Sequence, residues 1–194
     1  PLTQARRDQV RKLAQDGLAR LDGFKAAPLD ATQKISAAVM RWSLQNVIAN
    51  EQFEDYNWVF SQFSGVQVSL VNYMNNTHPM RNAQDLDSYL ARLDQVSTRM
   101  DEALARGKGA AAKGLTPPRF ILERGQAQVD LFLKPAAADN VLVTSLTQRV
   151  AALQDVTPQA RSQAIARATD IVEKKIRPAY TRVQAFMAEI HPKT

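Results

Sequence analysis

The sequence predicts an all-α fold, an antiparallel multi-helix bundle, on three observations. Apolar residues recur at helical spacing through most of the chain, and helix-starting and helix-stopping residues punctuate it at intervals. The one stretch that alternates like a strand, GVQVSLVNY, has no convincing second strand to pair with. At 194 residues and 45% hydrophobic content, the chain is long enough to bury a core without staples. The absence of cysteine removes disulfides, thiolate metal ligands and a thiol nucleophile together.

Taken in order, Val10, Leu13, Gly17, Leu18 and Leu21 form the apolar face of a first helix that breaks at Gly23. Asp30 followed by Gln33 has the spacing of a capping box and opens a second helix, expected to bury Ile35, Ala38, Val39, Trp42 and Val47. The aromatic-rich stretch that follows reads as two short helices around Gly65. Asn82 caps a strong helix with Leu86, Leu90, Leu93, Val96, Met100 and Leu104 on one face, expected to stop at Gly107. Pro117-Pro118 opens the next, with Ile121, Leu122, Val129 and Phe132 inward, and Lys134-Pro135 closes it. Asn140 starts a shorter helix through Leu153, and Thr157-Pro158 starts the last. Pro178 lies inside that last helix and is expected to kink it, because proline removes a donor and crowds the preceding turn. The expected organisation is a single helical domain or fragment over residues 1–194. It comprises a hairpin (1–50), an aromatic-rich segment (51–80), a helix–joint–helix unit (82–133) and C-terminal helices (140–190).

Lys and Arg number 25 against 19 Asp and Glu, a net charge of +6, but the cations are scattered and no aromatic stripe accompanies them. A solvated basic surface explains this balance better than a nucleic-acid site. No apolar run approaches the roughly 20 residues of a membrane span. The chain opens on Pro1, as a processed or trimmed end would.

The most distinctive local pattern is ARGKGAAAKGLTPPRFILER, residues 105–124. Gly107 to Ala112 fits the letters G-x-G-x-x-A, yet a dinucleotide loop needs a strand before its first glycine, and here a helix precedes it. The phosphate loop also fails, since Glu102 stands where a glycine is required and Gly109 where Ser or Thr is required. The stretch reads as a joint between helices. His78 and His191 each precede a proline and lack a second imidazole one turn away, so both read as loop residues. Glu51, Glu54, Asp55, Asp101 and Glu102 read as wet helix faces, Ser88 and Ser145 have no histidine nearby in sequence, and Trp42, Trp58, Phe60 and Phe63 read as core. No catalytic or metal-ligating residue emerges.

Several stretches together resemble the bacterial DUF885 family. Tyr89-Leu90-Ala91-Arg92-Leu93 is followed by the spacing Gly107, Gly114, Pro118, Arg119, and then by Pro178-Ala179-Tyr180 with Phe186. Thr77-His78-Pro79 stands upstream of the Tyr-Leu-x-Arg-Leu helix, as in that family, and the resemblance runs from about Trp58 to the C-terminus. It implies a mostly helical, zincin-like metallopeptidase, exported or lipid-anchored in bacteria, with a peptide substrate and a zinc motif H-E-x-x-P-G-H located C-terminal to these segments. No such string occurs in this chain. By resemblance, the chain is therefore an N-terminal helical half without cofactor, whose partner is the catalytic half and whose Tyr89, Arg92, Gly107, Gly114, Pro118, Arg119, Pro178 and Tyr180 are structural or cleft-forming. Arg119, placed at the positive end of a helix dipole, is expected to meet a carboxylate. A free-standing helical binding module and a polyanion-binding bundle are the competing readings.

Overall fold

A computed structural model of the chain describes residues 2–24 and 28–194. The described residues are helical, without strands, and fall into two compact units, Pro1–Asn57 and Trp58–Thr194.

The first unit is a helical hairpin. Helix α1 (Gln4–Asp22) starts where the Thr3 hydroxyl accepts from the Arg6 amide, and it ends at Gly23. Helix α2 (Ala31–Ala49) opens with both halves of the Asp30/Gln33 capping box and runs into a 3-10 turn, Asn50–Tyr56. The two helices meet where Gly17 faces Leu44, so closely that a Cβ at Gly17 would stand 3.0 Å from Leu44 Cδ1. Ion pairs fasten the hairpin: Arg41 to Asp22 at 2.8 Å, Arg11 to Glu51 at 2.8 Å and Arg7 to Asp55 at 2.9 Å. Glu51 and Asp55 are thus partly buried partners of α1, not simply a wet face.

The buried face of α2 is the opposite of the one expected. Ile35, Val39, Trp42 and Val47 are exposed, with Trp42 at 68%, and Ala38 is exposed too. Ala37, Arg41, Leu44 and Ile48 are half-buried instead. The reason is that α2 carries apolar residues on both sides, so a 3.6-residue period offers two stripes and the fit of Leu44 over Gly17 chooses between them. On α1, Gly17, Leu18 and Leu21 are half-buried as expected, while Val10 and Leu13 are exposed.

The second unit is the larger. Helix α3 (Val66–Asn72) passes into a π turn, Tyr73–Thr77, so the strand-like letters around Gly65 are helical. Helix α4 (Ala83–Ala112) is capped by Asn82, whose side chain accepts from Asp85 N. Its predicted stripe from Leu86 to Leu104 is buried throughout. Helices α5 (Arg119–Leu133), α6 (Val141–Ala151) and α7 (Pro158–Ile171) follow, with Asn140 and Thr157 capping α6 and α7 as their sequences predict. A second π turn, Val172–Ile176, joins α7 to helix α8 (Arg177–Ile190). Helix α4 packs against α8, α7 and α3, while α5 lies on α8 and α6 on α7. Tyr180, Val183, Met187 and Ile190 of α8 are buried in this core.

Three expectations change here. Helix α4 does not stop at Gly107: both Gly107 and Gly109 are inside it, and Gly114 ends it with φ of 77°. The Gly114 amide bonds Ala111 O at 3.0 Å and the Leu115 amide bonds Ala110 O at 3.1 Å, the paired closure that a left-handed glycine permits. Gly107 serves packing instead, since a Cβ there would stand 3.0 Å from Phe186 Cε1. The second change concerns the aromatics: Phe60 is fully buried, but Phe63 and Trp42 are exposed. Third, the interruption near Pro178 takes the form of the π turn. Pro178 cannot donate to the carbonyl four residues back, and the preceding turn widens so that the Arg177 amide reaches Val172 O.

Two glycines make opposite predictions. A Cβ at Gly125 would stand 2.6 Å from the backbone oxygen of Phe60, whereas at Gly109 it would meet nothing within 4 Å. Gly125→Ala should lower stability by about 1–3 kcal/mol, as overpacking does. Gly109→Ala should raise it by about 0.5–1 kcal/mol through helix propensity. Thermal melts of the two variants should move in opposite directions.

Candidate functional site

The segment from Trp58 to Asn82 carries α3 and the first π turn between irregular stretches, and several of its backbone carbonyls take their donors from elsewhere in the fold. Two clusters provide them, and both contain residues of the family-like motifs.

The first cluster surrounds His78, which is 2% exposed. Its Nε2 lies 2.6 Å from Arg92 Nη1, and its Nδ1 lies 2.6 Å from Pro79 O. A guanidinium only donates, so Nε2 accepts and Nδ1–H donates to the carbonyl, which fixes a neutral ring and its tautomer. Burial pushes the His78 pKa below its ordinary value; the hydrogen bond to Pro79 O opposes this, the charges of Arg92 and Arg149 add to it, and Asp85 opposes it again. Arg149 of α6 donates to Met74 O at 2.8 Å, to Asn75 O at 3.3 Å and to His78 O. These carbonyls lie at and just beyond the end of the first π turn, where a helix leaves acceptors unpaired and favours a cation. The Tyr89 ring packs edge-on to His78 at 5.4 Å and lies 5.8 Å from the Arg149 guanidinium carbon. Its hydroxyl donates to Leu142 O at 2.9 Å, and burial raises its pKa to about 12, so it stays protonated.

The second cluster centres on Gln67, which is 3% exposed. Its amide nitrogen donates to Ser61 O at 3.0 Å and to Gln128 Oε1 at 3.0 Å, and Gln128 in turn donates to Gln62 O at 2.9 Å. Tyr180, fully buried on α8, donates to Gln67 O at 2.7 Å and stacks on Phe132 with centroids 3.9 Å apart. Burial raises the pKa of Tyr180 as well. Gly125 and Gly107 open space for the same turn: Gly125 faces Phe60 O, and Gly107 faces Val59 and Phe186.

The structure therefore brings Tyr89 and Arg92 together around His78, and places Tyr180 and Gly107 around the 58–67 turn. Gly114 and Pro118 frame the joint, Gly114 as the left-handed stop of α4 and Pro118 as the N-cap of α5. Pro178 begins α8. Arg119 is exposed and donates to the main-chain oxygen of Thr194 at 2.9 Å. These residues do not converge on one cavity. An open cleft of about 420 Å³ between α4 and α7 is lined by other residues, among them Leu86, Asp87, Asp155 and Arg167.

The described residues do not fit a zinc ion. Both nitrogens of His78 are engaged, one of them by a cation, and His191 Nε2 lies 3.1 Å from Glu123 on the exposed end of the chain. Among the described residues, no group of three His, Cys, Asp or Glu side chains stands close enough to share a metal. The hydroxyls of Tyr89 and Tyr180 are committed to backbone carbonyls and face no base. What the clusters can do chemically is satisfy buried backbone and hold a turn.

A family model described as "Bacterial protein of unknown function (DUF885)" matches residues 1–194. The chain belongs to DUF885. The match includes the N-terminal hairpin, which lies outside the stretch whose motifs show the resemblance. A solved structure, described as the "putative lipoprotein from Colwellia psychrerythraea", superposes with a TM-score of 0.82 at 16% identity. The alignment covers 97% of this DUF885 chain and 34% of the Colwellia chain. At that identity the likeness establishes the shared helical fold. No curated protein matches.

Sequence reasoning missed Gln67, Gln128, Arg149 and Gly125. A glutamine or arginine on a helix reads as solvent-facing, and nothing in its neighbours marks it for burial. The only available signal was indirect: the irregular stretches on either side of α3 leave some carbonyls that need donors from elsewhere.

Arg149→Leu should leave the carbonyls of Met74, Asn75 and His78 without their cationic donor and destabilise the protein by about 2–4 kcal/mol. Denaturant titration would measure this, and Arg149→Lys should recover only part of the loss. For His78, the unfolded ring protonates near 6.5 while the folded ring resists protonation. Its contribution is fully present above that pH and is lost as pH falls below it towards the depressed folded value. Stability measured between pH 7 and pH 5 should therefore fall less steeply in His78→Gln than in the parent chain.

Proposed function

We propose that this chain is a non-catalytic helical portion of a larger exported bacterial protein, and that it forms part of the substrate cleft of a zinc metallopeptidase-like enzyme. The observation that carries the reading is the asymmetry of coverage: nearly all of this chain aligns with one third of the Colwellia protein. Membership of DUF885 supports it. So does the chemistry of Tyr89, Arg92 and Tyr180, whose polar groups are engaged with carbonyls or with His78 inside the fold. Export fits the lipoprotein description of the Colwellia protein, and no described helix is long and apolar enough to cross a membrane. Zinc chemistry, in this reading, belongs to residues beyond Thr194.

A second reading, a free-standing binding module, is favoured by one specific observation, the exposed apolar face of α2.

The parent gene and a peptide hydrolysis assay test the proposal together. Expected are a downstream H-E-x-x-H-type motif, zinc-dependent peptide hydrolysis by the full-length protein, and none by residues 1–194 alone. Hydrolysis by the isolated chain, or a stop codon directly after Thr194, would overturn it.

A further inference from the structure

Helix α2 is apolar on the side it turns away from α1. Ile35, Val39 and Trp42 fall on one stripe one helical turn apart, with Met40 and Val47 beside them, and their exposures are 66%, 59%, 68%, 54% and 42% in that order. Only Lys34 and Arg41 carry charge in the whole helix, and Arg41 is committed to Asp22. A surface helix needs a polar outer face; a helix apolar all round is one that is buried on both sides. Contiguous apolar patches larger than roughly a few hundred Å² mark an interaction site.

We infer that this face of α2 is the docking surface for the remainder of the same polypeptide, the part corresponding to the two thirds of the Colwellia protein that the alignment leaves uncovered. The inference rests on the reading that the chain is part of a larger protein, and it adds which surface the rest occupies. Three features favour that occupant. The chain aligns with only 34% of the Colwellia protein, so a structural relative of the same fold has a large further body available. The face is nearly uncharged, which suits a permanent contact within one protein better than a transient partner. The capping box at Asp30 and the ion pairs of Arg7, Arg11 and Arg41 hold the hairpin in shape, so the face is presented preformed.

Residues 1–194 contain no cysteine, so each introduced thiol is identified unambiguously by its peptide. Val39→Cys on the apolar face and Gln15→Cys on the exposed side of α1 are each introduced into residues 1–194 and into the full-length protein. Alkylation by iodoacetamide is then followed by peptide mass spectrometry. Expected is at least tenfold slower labelling of Val39→Cys in the full-length protein, with Gln15→Cys labelled equally in both. Rapid labelling of Val39→Cys in both proteins would overturn the docking inference and leave the proposed function standing. Slow labelling already in residues 1–194 would also overturn it: concentration-dependent protection would assign the face to a second copy, and concentration-independent protection to another part of this chain. A gene that ends at Thr194 would remove the larger protein itself, and the proposed function would fall with the docking surface.

Discussion

The second unit depends on one constraint: the stretch from Trp58 to Asn82 runs irregularly on either side of α3 and its π turn, and some of its carbonyls are met only by donors from other helices. Each enclosed carbonyl left without a donor costs on the order of 1–3 kcal/mol, so a few such groups would exhaust the stability of an ordinary domain. The chain meets the cost with side chains from three separate helices. Arg149 comes from α6, Gln128 from α5 and Tyr180 from α8, and each donates to a main-chain oxygen of the segment. Helix packing alone would not fix the path of this segment. The polar donors do, and the glycines at 107 and 125 let the helices approach near enough for the donors to reach.

This constraint explains why the family-like residues are scattered along the sequence. Tyr89, Arg92 and Tyr180 have side chains associated with catalysis elsewhere, yet each is tied to a carbonyl or to the buried imidazole of His78. A phenol whose pKa is raised by burial is a poor acid and a poorer nucleophile, but a dependable donor, because it keeps its proton near neutral pH. His78, whose protonation is disfavoured first by burial and then by Arg92 and Arg149, serves likewise as a fixed acceptor.

The helices were legible where one side only is apolar. Helix α4 carries a single long stripe from Leu86 to Leu104, and the cap residues Asp30, Asn82, Asn140 and Thr157 act within four residues of themselves, so local rules suffice. Helix α2 failed the same test because both of its sides satisfy the period. Gly107 misled for a different reason: its local cost in a helix is repaid by Phe186, almost 80 positions away, and no local rule registers such a neighbour. The two clusters were hidden for the same reason. Tyr180 and Gln67 are 113 residues apart in sequence, and neither carries any mark of the other. The motif letters did identify residues that matter, but as a pattern to be recognised, with no indication of what each side chain holds.

The π turn at Val172–Ile176 has a consequence for how lengths can vary in this protein. A turn closed over five residues holds one residue more than an α turn, so it works like a spare stitch in an otherwise regular helix. Everything C-terminal to it is rotated by about a quarter turn relative to an unbroken helix. The faces that bury Ala164 and Ala168 before it and Tyr180 and Val183 after it are in phase only because the stitch is present. Chains that lose one residue here and keep the same core would need a compensating insertion nearby, and the seam between α7 and α8 is where such paired length changes should collect.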